Sequence, residues 1–327
     1  MAKLKIVIVG GLGFIGHHVV RQLEQNGHEC SIIDCLENYN LPSDQLTEIV
    51  DLRRNRIISP IHEVDIRNYN DINNIFSHIK PDIVINLAGY PRQKLVGLFP
   101  SDASATMSTG LINLLETSIT HNVKKFVYIS SSMVYGNFQT DIVTEEAECH
   151  PIGQYGILKL AGELLVKDYA KQGLDYMILR PSAVYGEYDV GDRVVAKFIT
   201  AALRGEPLKV NGANEVLDFT HVEDAAQGIV KATLIGSVKN RTFNITRCEN
   251  FPCTLFYVAK SIIDIAGKGS FEIVDRDTNF PTRGRLAIFE ARVDLDYNPE
   301  IHILYGLKRY YDWYTQNPTL WNNQTVH

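Results

Sequence analysis

Tyr155 and Lys159 stand four residues apart in a stretch that reads as a helix, so their side chains share a face. A phenol ordinarily titrates near about 10, too high for a base at neutral pH. A nearby ammonium favours the phenolate, and such a pair can take a proton from an alcohol and return it. The spacing alone is a weak signal, because the chain holds 16 tyrosines and Tyr90 with Lys94 repeats it. Pro91 puts that second pair in a turn or at most at a helix start. Tyr155 instead lies in a helix that follows Ser130-Ser131-Ser132 at the end of a strong strand. A serine there stands at the carboxyl edge of the sheet, where ligands of open α/β sheets bind, and its hydroxyl can steady a reacting oxygen. The plainer alternatives are a polar strand cap for the serines and a half-buried interface position for Tyr155.

A second constellation lies near the start of the chain. Gly10-Gly11-Leu12-Gly13-Phe14-Ile15-Gly16 follows an apolar strand and opens a helix, with the spacing G-x-x-G-x-x-G. Glycine permits a positive φ at the tight turn and lets a pyrophosphate approach the backbone. The helix N-terminus beyond it offers free N–H groups to phosphates. Gly10, Gly13, Phe14, Ile15 and Gly16 are therefore candidate dinucleotide contacts. Asp34 ends the second strand, where its carboxylate can accept from an adenosine ribose and would repel a 2′-phosphate. Cys35 follows rather than an arginine. NAD is favoured over NADP, the alternative being that Asp34 merely caps the strand–loop junction.

These groups need a scaffold. Lys5–Val9, Glu29–Asp34, 57–64, 83–87, 125–130 and 176–180 read as strands, mostly continuous β-branched runs that mark burial on both faces. Phe14–Gln25, 70–78, 104–121 and 154–172 read as the intervening helices. The βαβα order predicts an α/β chain with a Rossmann-type doubly wound parallel sheet. After about Gly186 the rhythm changes: Val194–Arg204, 222–235 and Leu255–Ala266 read as helices among loops and isolated strands. We expect an NAD-binding domain over 1–186 carrying the Ser-Tyr-Lys set and a smaller α/β substrate lobe over 187–327. The two interleave, and the second can donate one more strand to the sheet.

Bulk properties narrow the function. The chain has 327 residues and a net charge of −6 with no basic stripe, which disfavours nucleic acid as a partner. Five cysteines without a C-x-x-C pair argue against disulfides and zinc and fit a cytoplasmic setting. The apolar N-terminal run breaks at Gly10-Gly11, too early for a signal peptide, and no stretch approaches a membrane span. Ten histidines show no metal-ligand spacing, so no metal is expected, and most read as surface or capping residues. The tail aromatics Tyr310, Tyr311, Trp313 and Tyr314 read as packing groups.

Together these residues resemble the extended short-chain dehydrogenase/reductase family, in its NAD-dependent epimerase/dehydratase branch. The likeness runs along nearly the whole chain, through Asp65-Ile66, Asn86-Leu87-Ala88, Arg180-Pro181, Val184-Tyr185-Gly186 and Asp218-Phe219-Thr220-His221-Val222-Glu223-Asp224. It implies a nucleotide-sugar substrate, with Ser131, Tyr155 and Lys159 catalytic and Ser132 the alternative serine. It implies Asp65 and Ile66 flanking the adenine, and Leu87, Ala88 and Gly89 lining the cofactor cleft. Lys159 would also bond the nicotinamide ribose. Pairing of the helices at 104–121 and 154–172 would make a homodimer.

Departures matter as well. The branch's 4,6-dehydratases carry Asp-Glu where Ser132-Met133 stand, so dehydration is disfavoured. Ala183 replaces a frequent Asn and Leu217 a frequent Arg, removing a charge-assisted contact. Arg193, Arg283 or Arg285 can supply another, and Arg92 and Lys94 either touch substrate or are solvated. The expectation is an epimerase acting at C4 through a transient keto-sugar. A net dehydrogenase or 4-ketoreductase is the alternative, ahead of a non-catalytic NAD-binding scaffold.

Overall fold

Every residue of Ile6–Val9 is buried, as only a strand covered on both faces allows. The computed structural model describes residues 3–36 and 43–322. Seven strands form one parallel sheet: β1 (Lys5–Val9), β2 (Glu29–Asp34), β3 (Ile61–Glu63), β4 (Ile83–Asn86), β5 (Lys125–Ile129), β6 (Asp175–Pro181) and β7 (Arg241–Ile245). Their order is β7-β6-β5-β4-β1-β2-β3. Winding reverses between β1 and β4, and that switch point opens the crevice where ligands of such sheets bind.

Alternation along the strands sorts the two layers. Ile6 and Ile8 face α1 (Phe14–Gln25) and the helix Val222–Leu234. Val7 and Val9 face the helices Tyr69–Ile79, Leu111–Thr120 and Gln154–Tyr169. A second core joins Phe198, Ile199, Val258, Ile262, Leu307, Tyr310 and Tyr314, and Ile49 packs into it. The tail aromatics thus pack as expected. The second half also supplies β7, which pairs in parallel with β6 from Arg241↔Met177 onward.

Several elements differ from the sequence reading. The strand expected over 57–64 shrinks to Ile61–Glu63, because Pro60 lacks an N–H and Ile58 projects into solvent at 91% exposure. The helix expected over 104–121 is three pieces: Pro100–Ser104, a π-helical stretch Ala105–Gly110, and Leu111–Thr120. A Cβ on Gly110 would sit 2.6 Å from the Ile66 side chain, so the wide turn needs glycine to pass. The helices Ser43–Arg54 and Gln93–Leu98 were not anticipated. His17 and His18 are buried rather than surface residues, whereas His221, also buried, caps the helix Val222–Leu234 by accepting from the Glu223 N–H at 3.2 Å. Among the described residues no helix is long and apolar enough to cross a membrane.

Candidate active site

The turn after β1 closes only without side chains. Gly10 adopts φ +76°, and a Cβ there would meet the Ala88 nitrogen at 2.8 Å. A Cβ on Gly16 would fall 2.1 Å from the Gly10 carbonyl oxygen. Gly13 caps α1 with no side-chain bond, leaving the helix N–H groups at Phe14 and Ile15 turned to the crevice. Asp34 accepts from the Leu12 N–H at 2.9 Å and the Leu36 N–H at 3.0 Å, and burial pushes its carboxyl above the usual range. It therefore braces the turn while also lining the cavity. Asp65 lines the same cavity and pairs with Arg67, and Ile66 packs beside it. Leu87, Ala88 and Gly89 form the β4 rim, with Gly89 at φ +146°.

Arg53 is a participant that the sequence did not flag. Its guanidinium donates to Leu12 O at 3.1 Å and to Tyr188 O at 3.1 and 2.7 Å, tying the glycine turn to the second half of the chain. Tyr188 turns its carbonyl to Arg53 from a left-handed backbone, φ +68°.

The candidate reacting groups converge across the crevice. Ser131 Oγ caps the short helical turn 132–135 by accepting from the Met133 N–H at 3.2 Å, and its hydroxyl lies near enough to the Tyr155 phenol to favour its ionised form. Lys159 Nζ stands 6.0 Å from the Tyr155 ring centre and donates to Ile129 O at 2.7 Å. The Tyr155 backbone N–H donates to Gln93 Oε1 at 3.1 Å, so the unforeseen helix Gln93–Leu98 anchors the start of the helix that carries Tyr155 and Lys159. As a residue Tyr155 is half-buried, but its hydroxyl end sits deep. Burial pushes the phenol above its ordinary value, and the Ser131 hydroxyl and the Arg193 charge offset part of that. The expected lowering by Lys159 is not among its causes. Lys159 itself is pulled down to about 8 by burial, which Glu163 partly opposes. Ser132 Oγ donates to Ser182 Oγ at 3.0 Å beside them.

The lowered lysine makes stability depend on pH. Between about 8 and its ordinary 10.5 the unfolded chain holds a proton that the folded chain has released, so stability rises with pH in that window. The stability difference between Lys159→Met and the unsubstituted protein is therefore largest in the variant's favour below about pH 8 and shifts toward the unsubstituted protein above it. Urea unfolding at stepped pH checks this, and a pH-independent difference would contradict it.

One cavity of about 940 Å³ holds all of these groups, from Gly10 and Asp34 through Ser131, Tyr155 and Lys159 to Arg193 and Arg283. A family model described as the NAD dependent epimerase/dehydratase family matches residues 6–246. The chain belongs to that family. Its fold superposes on the UDP-glucose 4-epimerase of Thermotoga maritima, solved with UDP-glucose, at a TM-score of 0.86 and 29% identity, covering 96% of this chain and 100% of that one. The UDP-glucuronic acid 4-epimerase of Bacillus cereus, solved with UDP-glucuronic acid and NAD, gives 0.87 and 27% over 96% and 100%. A dTDP-glucose 4,6-dehydratase of Neisseria meningitidis is 28% identical over 347 residues, 98% of this chain and 95% of that one.

Family membership makes NAD the cofactor, and the residues fit it: the side-chain-free turn, the open helix start and the acidic end of β2 lie on one wall. Replacing Gly16 by alanine in this epimerase/dehydratase family member drives a methyl into the Gly10 carbonyl. We expect the purified variant to lose bound NAD, read by mass spectrometry of released ligands.

The family departures also acquire positions. Ala183 and Leu217 line the cavity, and Ala183 holds φ +37°, a conformation that asparagine adopts more readily. Arg285 is not the replacement cation, since it donates to Glu249 O at 3.1 Å outside the cavity. Arg193 lines the cavity, paired with Asp189 and poised 5.3 Å over the Phe14 ring. Arg92 and Arg283 line it too, and Lys94 is an exposed partner of Asp192.

Proposed function

We propose that this family member is a nucleotide-sugar epimerase acting at C4 through a transient keto-sugar. The observation that carries the reading is the convergence of Ser131, Tyr155 and Lys159 on the cavity walled by the glycine turn, with Ser132 and Met133 in the next two positions. Neither side chain can serve as an acid or base near neutral pH, which favours epimerisation over elimination. When bound, NAD supplies the reversible hydride chemistry. Tyr155 takes the proton of the sugar hydroxyl as hydride leaves C4, and returns it to the same oxygen once the keto-sugar has turned its other face to the cofactor, so that C4 regains hydride from the opposite side. Ser131 hydrogen-bonds that oxygen and, with the Arg193 charge, favours the phenolate, while Lys159 bonds the nicotinamide ribose. Residues 187–327 hold the nucleotide-sugar, with Arg193 and Arg283 toward its phosphates and Ser132 toward the sugar.

The test is incubation of the NAD-loaded enzyme with a panel of UDP-, GDP-, CDP- and dTDP-sugars, followed by chromatography and absorbance at about 340 nm. An epimerase yields the C4 epimer with no net absorbance change. Accumulating or consumed NADH would instead establish a net dehydrogenase or ketoreductase.

We also propose a homodimer built on the helix Gln154–Tyr169, which leaves Ile157 and Leu164 two turns apart and exposed at 52% and 59%. Light scattering should give twice the chain mass, and an Ile157→Asp, Leu164→Asp variant should run as a monomer.

A further inference from the structure

Five arginines line the cavity, and three are already engaged. Arg53 holds two backbone carbonyls, Arg193 the Asp189 carboxylate, and Arg276 the Glu215 carboxylate. Among the described residues, the guanidinium groups of Arg92 and Arg283 have no hydrogen-bond or ion-pair partner. Each leaves a buried donor unused, Nη1 of Arg92 and Nε of Arg283. The nearest carboxylates to Arg92 are committed elsewhere: Asp189 to Arg193, and Asp192 to Lys94 and Lys197. A buried N–H donor of a charged group without an acceptor is costly, so each of the two half-buried guanidinium groups marks a place where a ligand brings negative charge.

The two stand on different walls. Arg283 belongs to the C-terminal side and feels Glu215. Arg92 precedes Gln93, whose side chain holds the Tyr155 backbone, so it stands at the reactive end. The cofactor's diphosphate has its own seat at the glycine turn, and the diphosphate of a nucleotide-sugar accounts for Arg283. Arg92 is left over, next to the sugar. We infer that Arg92 recognises a carboxylate carried by the sugar, so that the substrate is a nucleotide-linked uronic acid; this rests on the nucleotide-sugar reading above. The planar guanidinium matches a carboxylate with two parallel bonds, whereas a neutral hydroxymethyl group would leave its charge, and the buried Nη1 donor, without a counter-charge.

Calorimetric titration of the NAD-loaded protein tests this with UDP, UDP-glucose and UDP-glucuronate, and with the dTDP series in parallel. The uronate should bind about ten- to a hundredfold tighter than the neutral sugar of the same nucleotide. Arg92→Met should abolish that preference while leaving the affinity for the neutral sugar within about twofold, and Arg92→Lys should restore part of it. Equal affinity for the two sugars overturns the carboxylate assignment alone, and it is read on the unsubstituted protein. Loss of NAD from Arg92→Met, with sugar preference intact, overturns it in favour of a cofactor phosphate. Failure of every nucleotide to bind sinks the underlying nucleotide-sugar reading and the assignment with it.

Discussion

Tyr155→Phe is expected to lower turnover by about 10²- to 10⁴-fold while NAD stays bound and the fold is unchanged. The substitution removes one oxygen. On the proposed role it deletes the group that takes the sugar proton, but it leaves the ring packed against the cluster of Tyr90, Leu95 and Val96. The Gln93 bond to the backbone also remains. Substrate affinity should therefore hold within a few-fold, so the loss appears in kcat rather than KM. Single-turnover transfer from a matched nucleotide-sugar, followed by NADH absorbance, measures the step directly. A variant with more than a tenth of the original turnover would remove Tyr155 from the chemistry.

The second large effect concerns stability. Glu163 lies one helical turn beyond Lys159 and is fully buried. It accepts from Ser130 Oγ at 2.6 Å and from Arg180 through Nε at 2.9 Å and Nη2 at 2.7 Å. Arg180 also donates to the Tyr135 hydroxyl at 2.9 Å, which in turn donates to Asn244 Oδ1 at 2.8 Å on β7. Glu163→Ala strands the guanidinium in a dry interior, and we expect a loss of about 3–5 kcal/mol. Adding Arg180→Met to a Glu163→Met background should recover most of the deficit, because a buried ion pair and an apolar pair of similar volume are nearly equivalent in stability. Denaturant unfolding of the NAD-loaded variants decides it. If the single and double variants are equally unstable, pairing is not what holds this region. Activity should fall in both, since Ser130 adjoins Ser131 and Lys159 loses the neighbouring carboxylate that favours its charge.

The sheet, the glycine turn and the Tyr155–Lys159 pair were legible because each is written locally. Continuous apolar runs mark strands covered on both faces, and a four-residue spacing survives any packing of the helix. The unforeseen parts depend on distance in three dimensions. Arg53 sits 41 residues from Leu12 and 135 from Tyr188, so no local pattern announces the bonds that join them. Its helix, Ser43–Arg54, is mostly polar and resembles a loop in sequence. Glu163 has a helical spacing from Lys159, which was a usable signal, but its partner Arg180 lies on the next strand. The π-helical stretch at Ala105–Gly110 escapes pattern reading because its bonds widen by one residue without disturbing composition. The unpaired state of Arg92 is a property of the folded surroundings alone.

The last strand of the sheet has a consequence for engineering. Because Arg241–Ile245 returns from the second half to flank Asp175–Pro181, the first half is not a detachable cassette. A chimera cut after residue 186 would inherit a raw border where that strand should lie. It would also lose Asn244 from the polar chain that runs through Tyr135 and Arg180 to Glu163. Exchange of the second halves between relatives must therefore carry this strand across intact, or graft only the cavity-lining loops around it.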